Sequence, residues 1–243
     1  MKTLLSLIGV ELSAVSRREK FLSALGGLIA IASLIWVTRQ ALGLQGAMCI
    51  IASMGASGVL LFAVPHGQLS QPWPVIAGNV FSAFIGVACY QLIPLEWLAA
   101  GAALGISILA MHQLKCIHPP GGATALTAVL GGDAVHRLGF KFVLFPVLIN
   151  VLIMVGIAIL FNWSFKWRRY PAALAKRSIA LKRHPLGAET SHDDIVKALK
   201  NLESFVDITE DDLLQLSRMI AREREARLLK AARQRGRGVV AGA

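Results

Sequence analysis

Residues 114–126 read Leu-Lys-Cys-Ile-His-Pro-Pro-Gly-Gly-Ala-Thr-Ala-Leu. A lysine, a histidine and two prolines interrupt a chain that is otherwise apolar enough to live in a bilayer. Irregular backbone at membrane depth survives only inside protein or along a water-filled cavity, because hydrocarbon offers its N–H and C=O groups no partner. A short helix then begins at Gly121-Gly122-Ala123-Thr124. A helix start exposes N–H groups and a partial positive charge, which suit an anion. The stretch therefore reads as the centre of a solute path inside a membrane protein.

Composition agrees. The 243 residues are 55% hydrophobic and 16% charged, with a mean hydropathy of +0.61. Such a balance belongs to membrane chains. Charge is segregated. Between residues 21 and 163 the only Lys/Arg are Arg39, Lys115, Arg137 and Lys141, whereas residues 164–243 hold 17 Lys/Arg and 10 acids. Lys166, Arg168, Arg169, Lys176, Arg177, Lys182 and Arg183 follow a hydrophobic span with no acid among them. They read as a positive-inside anchor on anionic lipid headgroups rather than a nucleic-acid surface. Cys49, Cys89 and Cys116 lie in apolar stretches without metal-ligand spacing, so neither a disulfide framework nor a metal site is expected. No small-residue cleavage site follows the first apolar stretch, which is expected to remain as a span.

Working outward, hydrophobic runs fall at 21–38, 46–64, 74–93, 97–114 and 140–163, with the short 121–131 piece before the last. Trp36, Trp73, Trp97, Trp163 and Trp167 mark run ends, as an aromatic belt requires. The fold class expected is all-α, a polytopic transmembrane bundle. Basic clusters at 17–20 and from 166 onward favour cytoplasmic termini at both ends, hence an even count. Six passes are expected, the fifth one short, in a bacterial inner membrane. Met54-Gly55-Ala56-Ser57 resembles Gly121-Gly122-Ala123-Thr124. Pro74-Val75-Ile76 with Asn79 resembles Pro146-Val147-Leu148 with Asn150. Two inverted three-helix repeats would account for that spacing, as would chance recurrence of small residues that pack helices.

Three regions follow: an interfacial N-terminal segment over 1–20, a transmembrane domain over 21–163 and a basic cytoplasmic tail over 164–243. Ser191 with Asp194 and Thr209 with Asp212 open two amphipathic helices in the tail. These are too small for much of a core, so they are expected to pack on each other and on a second copy, as a homo-oligomer.

The candidate binding residues are Gly55, Ala56, Ser57, Asn79, Lys115, His118, Pro119, Pro120, Gly121, Gly122, Ala123, Thr124 and Asn150. Proline suits a first helical turn and glycine lets backbone meet a ligand. Gly55-Ala56-Ser57 offers the same chemistry if its helix is broken there; otherwise Gly55 and Gly58 are packing glycines. Lys115 either faces the path or snorkels to headgroups. His118 is a proton relay, an anion contact or a loop-stabilising donor. Asn79 and Asn150 either bridge helices or touch ligand. Ser57 with His118 has no third, orienting group, so no hydrolase is expected. No catalytic residues and no cofactor are expected.

His118-Pro119-Pro120-Gly121-Gly122-Ala123-Thr124-Ala125-Leu126 resembles the signature of the HPP family of integral membrane proteins. Met54 to Phe62 and Gln71-Pro72-Trp73-Pro74-Val75 resemble two further segments of it, in the same order. The resemblance covers roughly residues 20–163. It implies a membrane protein with relatives, in plastids and cyanobacteria, for which nitrite transport has been proposed. It also implies four spans, fewer than the six counted here. Some members carry a paired nucleotide-sensing domain where this chain has its basic tail. The expected function is a transporter or channel for a small inorganic anion, nitrite first, bound at half-helix N-termini near the midplane. The rival is a membrane sensor or scaffold acting through the tail.

Overall fold

The computed structural model describes residues 15–174, with the side chains of 40–51 excepted. The expected helices of the N-terminal segment before residue 15 and of the tail after residue 174 lie outside the described residues. Every regular element among those described is helical. The described part belongs to one compact unit, Val15–Ser178.

The first element, α1, is helical over Arg17–Ala63. Ser16 caps it by accepting from the Glu19 N–H at 3.2 Å, as a hydroxyl before a helix should. It is not a rod. A Cβ on Gly26 would lie 2.4 Å from the Phe62 ring, yet 36 residues of straight helix would separate them by ~54 Å. The chain therefore reverses in the region between the expected first and second spans. Gly58 against Ile31 and the Phe62–Phe161 edge contact align the two arms antiparallel beside the last helix.

Helix α2 spans Pro72–Leu92, with proline in its first turn, and stops just before Pro94. Helix α3 spans Glu96–Gln113. It ends with Lys115 in left-handed backbone, φ 52°. The Lys115 N–H bonds to His112 O and the Cys116 N–H to Met111 O, the pair of bonds that closes a helix in the Schellman manner. Helix α4 spans Pro119–Leu130, starting two residues before the expected point. A single turn, α5, covers Asp133–His136. The last helix, α6, spans Ile149–Trp163. A wide helical turn over Val143–Leu148 leads into it, interrupted at Phe145 (φ −138°, ψ 117°). Proline at 146 disfavours helical backbone in the residue before it, so the expected run from 140 is broken where the sequence has Phe-Pro.

Three helical stretches among the described residues are long and apolar enough to cross a membrane: Arg17–Arg39, Pro72–Leu92 and Val143–Trp163. The second arm of α1 contributes a shorter apolar piece, Ala52–Ala63. The six helical runs alternate in direction. All five tryptophans are exposed at run ends: Trp73, Trp163 and Trp167 at one end of the bundle, Trp36 and Trp97 at the other.

Two cores form. Leu34, Met54, Leu61, Phe62, Phe142, Val151 and Met154 fill the space between α1 and α6 with large side chains. Cys89, Ala99, Ala103, Ala125 and Val129 fill the space among α2, α3 and α4 with small ones. The second core is thin because the backbones nearly touch. A Cβ on Gly121 would meet the Gly78 carbonyl at 2.6 Å, and one on Gly86 the Ala125 carbonyl at 2.5 Å. Without a hydrophobic drive between helices in lipid, such close packing is what holds them together.

Candidate functional site

The segment after α3 folds inward. His118 is fully buried. Its Nδ1 lies 2.8 Å from the Leu69 carbonyl, which only accepts, so Nδ1 carries the proton. Nε2 of the neutral ring is then free to accept from the Ser57 hydroxyl at 2.9 Å. One imidazole thus ties the loop after α1 to the second arm of α1 and to the start of α4. Of the three roles expected for His118, loop stabilisation is the one its contacts fulfil. Ser57 and His118 do meet, but the orienting group is a backbone carbonyl and both side chains are buried.

A second cluster sits next to it. The Asn79 amide donates to the Val75 carbonyl at 2.8 Å. Its Oδ1 is left to accept from Thr124 at 2.6 Å and Ser53 at 3.2 Å. Ser53 also reaches the Pro120 carbonyl at 2.8 Å. Two hydroxyl protons face two carbonyl oxygens, so the set closes when Ser53 donates to Pro120 and Thr124 to Asn79. All three side chains are buried. Ser53 and Ser57 stand one turn apart on a shared helix face, which makes the two clusters neighbours. Ser53 escaped the sequence analysis; its spacing to Ser57 was the available signal.

Two expectations are corrected. Residues 55–57 lie inside continuous helix that runs on to Ala63, so their N–H groups are spent in helical bonds and no half-helix begins there. Gly55 leaves open space around it and Ala56 is exposed. Helix α4 does begin beside the predicted place, two residues early, but its donors are already used. Pro119 and Pro120 have none. The Gly121 N–H bonds to His118 O at 2.8 Å, and the His118 N–H points at Met111 Sδ, 3.4 Å away. Gly121 serves close packing against Gly78, whereas Gly122 faces the flexible tip of Leu104 at 3.0 Å. Ala123 is half-buried.

Two further candidates fall outside the site. Lys115 is exposed at the α3 cap. Asn150 accepts from Thr38 at 2.9 Å, whereas Asn79 accepts from Ser53 and Thr124, so the two asparagines share no hydrogen-bond partner. Nor do their partners follow the repeat, since Asn79 bonds to Ser53 and Thr124.

At the end of the bundle that carries Trp73 and Trp163, the structure also places a charged group the sequence assigned to headgroups. Arg168 is buried and pairs with Glu19. Its other donors reach Phe62 O at 2.7 Å and Asn162 Oδ1 at 3.0 Å. Burial lowers the guanidinium pKa and the Glu19 carboxylate opposes that drop. Among the described residues no group of His, Cys, Asp and Glu is arranged to hold a metal ion.

Apolar helices of membrane-spanning length around a buried, uncharged polar cluster define a polytopic helical membrane protein. The HPP transmembrane-region family matches residues 12–171, and the chain belongs to that family. Two transmembrane proteins of Dictyostelium discoideum are similar to it. One is 36% identical over 155 residues, covering 62% of this chain and 53% of the relative. The other is 36% identical over 126 residues, covering 50% of this chain and 40% of the relative. The chain thus spans about half the length of the curated relatives it matches. No solved structure matches it.

Proposed function

We propose that this protein is a membrane transporter or channel for a small inorganic anion, with nitrite as the first choice. The observation that carries the reading is the convergence of Ser53, Ser57, Asn79, Thr124 and His118 inside an apolar bundle without a fixed full charge. An ionisable side chain at membrane depth, here His118, marks a candidate solute path by default. Hydroxyls and amides can replace part of an anion's hydration shell while holding it weakly enough to release. The contacts in hand are a closed arrangement, in which these groups satisfy one another. Passage then requires α4 to shift so that hydroxyl protons turn from carbonyl oxygens to solute.

Two features support this. The basic residues Arg17, Arg18, Lys20 and Lys166 are exposed at the end of the bundle that the His118 loop faces, where their field draws anions. The alternating runs suit six crossings, with α4 the short fifth and two inverted halves, and both ends on the cytoplasmic side of the cell membrane. We read the protein as a carrier rather than an enzyme, because the Ser57–His118 pair has no carboxylate partner and no opening to solvent.

The test is flux in proteoliposomes holding the full chain, with nitrite, nitrate, formate and chloride offered separately. Nitrite uptake above empty vesicles, reduced by Thr124→Val, is expected. Equal flux in empty and loaded vesicles for all four anions would sink the reading and leave a scaffold acting through the tail.

A further inference from the structure

The two arms of α1 do not close on each other along their whole length. A groove of about 360 Å³ runs between them, lined by residues from 23–31 of the first arm and from 55–63 of the second. Gly27 and Gly55 leave it open, since a Cβ on either would meet nothing within 4 Å. Of its lining residues, Gly58 and Phe62 are buried, whereas Leu28 and Val59 are 66% and 64% exposed. The groove therefore faces outward, where a bilayer offers hydrocarbon rather than water. Its one hydroxyl, on Ser23, is already engaged with the Glu19 carbonyl at 2.8 Å.

Its dimensions choose among occupants. From residue 23 to residue 31 along one arm, and from 63 back to 55 along the other, is ~12 Å of helix. One leaflet of hydrocarbon is ~15 Å deep. A volume of about 360 Å³ over that length leaves a cross-section of about 30 Å², well under the ~80 Å² of a helix 10 Å across. A partner helix is too wide to enter. A single unbranched acyl chain is not.

The groove also leads to charge. Ile31, Leu28, Ala24, Lys20 and Arg17 recur at three- and four-residue spacing, so they share a face of the first arm. Groove residues form the deeper part of that face. Lys20 and Arg17, both exposed, form its first turn. The acid beside them, Glu19, is buried and bound to Arg168, so among the described residues neither cation has a carboxylate partner. We propose that this groove binds an anionic phospholipid from the leaflet at that end of the bundle. One acyl chain lies along Gly27 and Gly55, and the phosphate sits on Arg17 and Lys20. The chain fills the gap between the arms and holds the reversed hairpin together. The site shares no residue with the His118 and Asn79 clusters, and it stands whether or not those clusters pass an anion.

Native mass spectrometry of the full chain in detergent tests this, with phosphatidylglycerol and phosphatidylcholine of identical acyl chains supplied in equal amounts. We expect one phosphatidylglycerol retained per chain, in preference to phosphatidylcholine. Arg17→Gln and Lys20→Gln should each weaken that preference roughly 5-fold. Gly55→Leu puts a side chain into the open space and should abolish retention although both cations remain. Gly27→Leu, from the other arm, should do the same and serves where Gly55→Leu does not fold. Equal retention of the two lipids, or of neither, would overturn the proposal. A phosphatidylglycerol preference untouched by both leucine variants would put the lipid on the basic residues alone and refute the groove. A lipid-free wild-type dimer that Gly55→Leu dissociates would give the groove to a second copy and equally overturn it.

Discussion

Glu19 and Arg168, 149 residues apart in the chain, form a buried ion pair that joins the start of the first helix to the segment leaving the last. The arginine also holds Phe62 O at the foot of the second arm, so three of the six runs end on one guanidinium. Trp167 adds a bond from its indole N–H to the same carboxylate at 3.1 Å. Removing one partner of such a pair leaves the other charge buried. Arg168→Ala should therefore destabilise the protein by about 3–5 kcal/mol, whereas Glu19→Leu with Arg168→Met should recover part of that. Thermal unfolding in detergent checks it, and an Arg168→Ala variant with wild-type Tm would show the pair to be idle.

The same contact fixes a topology. Residues 17 and 166 must lie on one side of the membrane if Glu19 touches Arg168. Single cysteines placed at Arg17 and Lys166 should both react with an impermeant reagent from the cytoplasmic face, given the positive-inside bias. Labelling from opposite faces would contradict the even number of crossings.

Glycine substitutions should divide by what surrounds them. Gly121→Ala and Gly86→Ala push a methyl into backbone, which forces α2 and α4 apart and should lower stability by about 1–3 kcal/mol. Gly27→Ala and Gly55→Ala meet nothing within 4 Å and remove a poor helix former, so a gain of up to ~1 kcal/mol is expected. A comparison of the four melting temperatures decides the matter. Similar losses at Gly55 and Gly121 would mean that both glycines serve the same role.

Coupling energies should report the two polar clusters separately. Ser53 and Thr124 share acceptors, so Ser53→Ala and Thr124→Ala should deviate from additivity in stability by about 0.5–3 kcal/mol. Ser57→Ala and Thr124→Ala, in different sets, should add within about 0.5 kcal/mol without anion. Nitrite should introduce coupling between that second pair if one solute visits both clusters. Additivity that persists at saturating nitrite would assign the solute to one cluster alone.

Much of the fold is legible in the chain because the bilayer is a severe solvent. Runs of apolar residues, Trp at their ends, proline at 72 and 94 and the basic clusters each follow from local chemistry, and helices form close to where they point. The His118-Pro119-Pro120 interruption marks the start of α4 for the same reason. The break at Phe145 follows from the proline after it, yet periodicity alone reads that run as one helix.

Hydropathy could not say which neighbours meet, since lipid tails are as apolar as leucine and no run prefers one partner by burial alone. Backbone approach and hydrogen bonding made that choice. Gly78 and Gly121 let α2 and α4 touch, which placed Thr124 on Asn79 and sent His118 to Ser57. Those contacts used up donors that a reading of Gly121–Thr124 as an open helix start had left free. The repeat in the sequence made Asn79 and Asn150 equivalent, but packing handed one to Thr124 and the other to Thr38. Arg168, by its position after a span, belonged among the headgroup anchors. Only the return of the chain to Glu19 offered a carboxylate near enough to offset its desolvation and draw it inside.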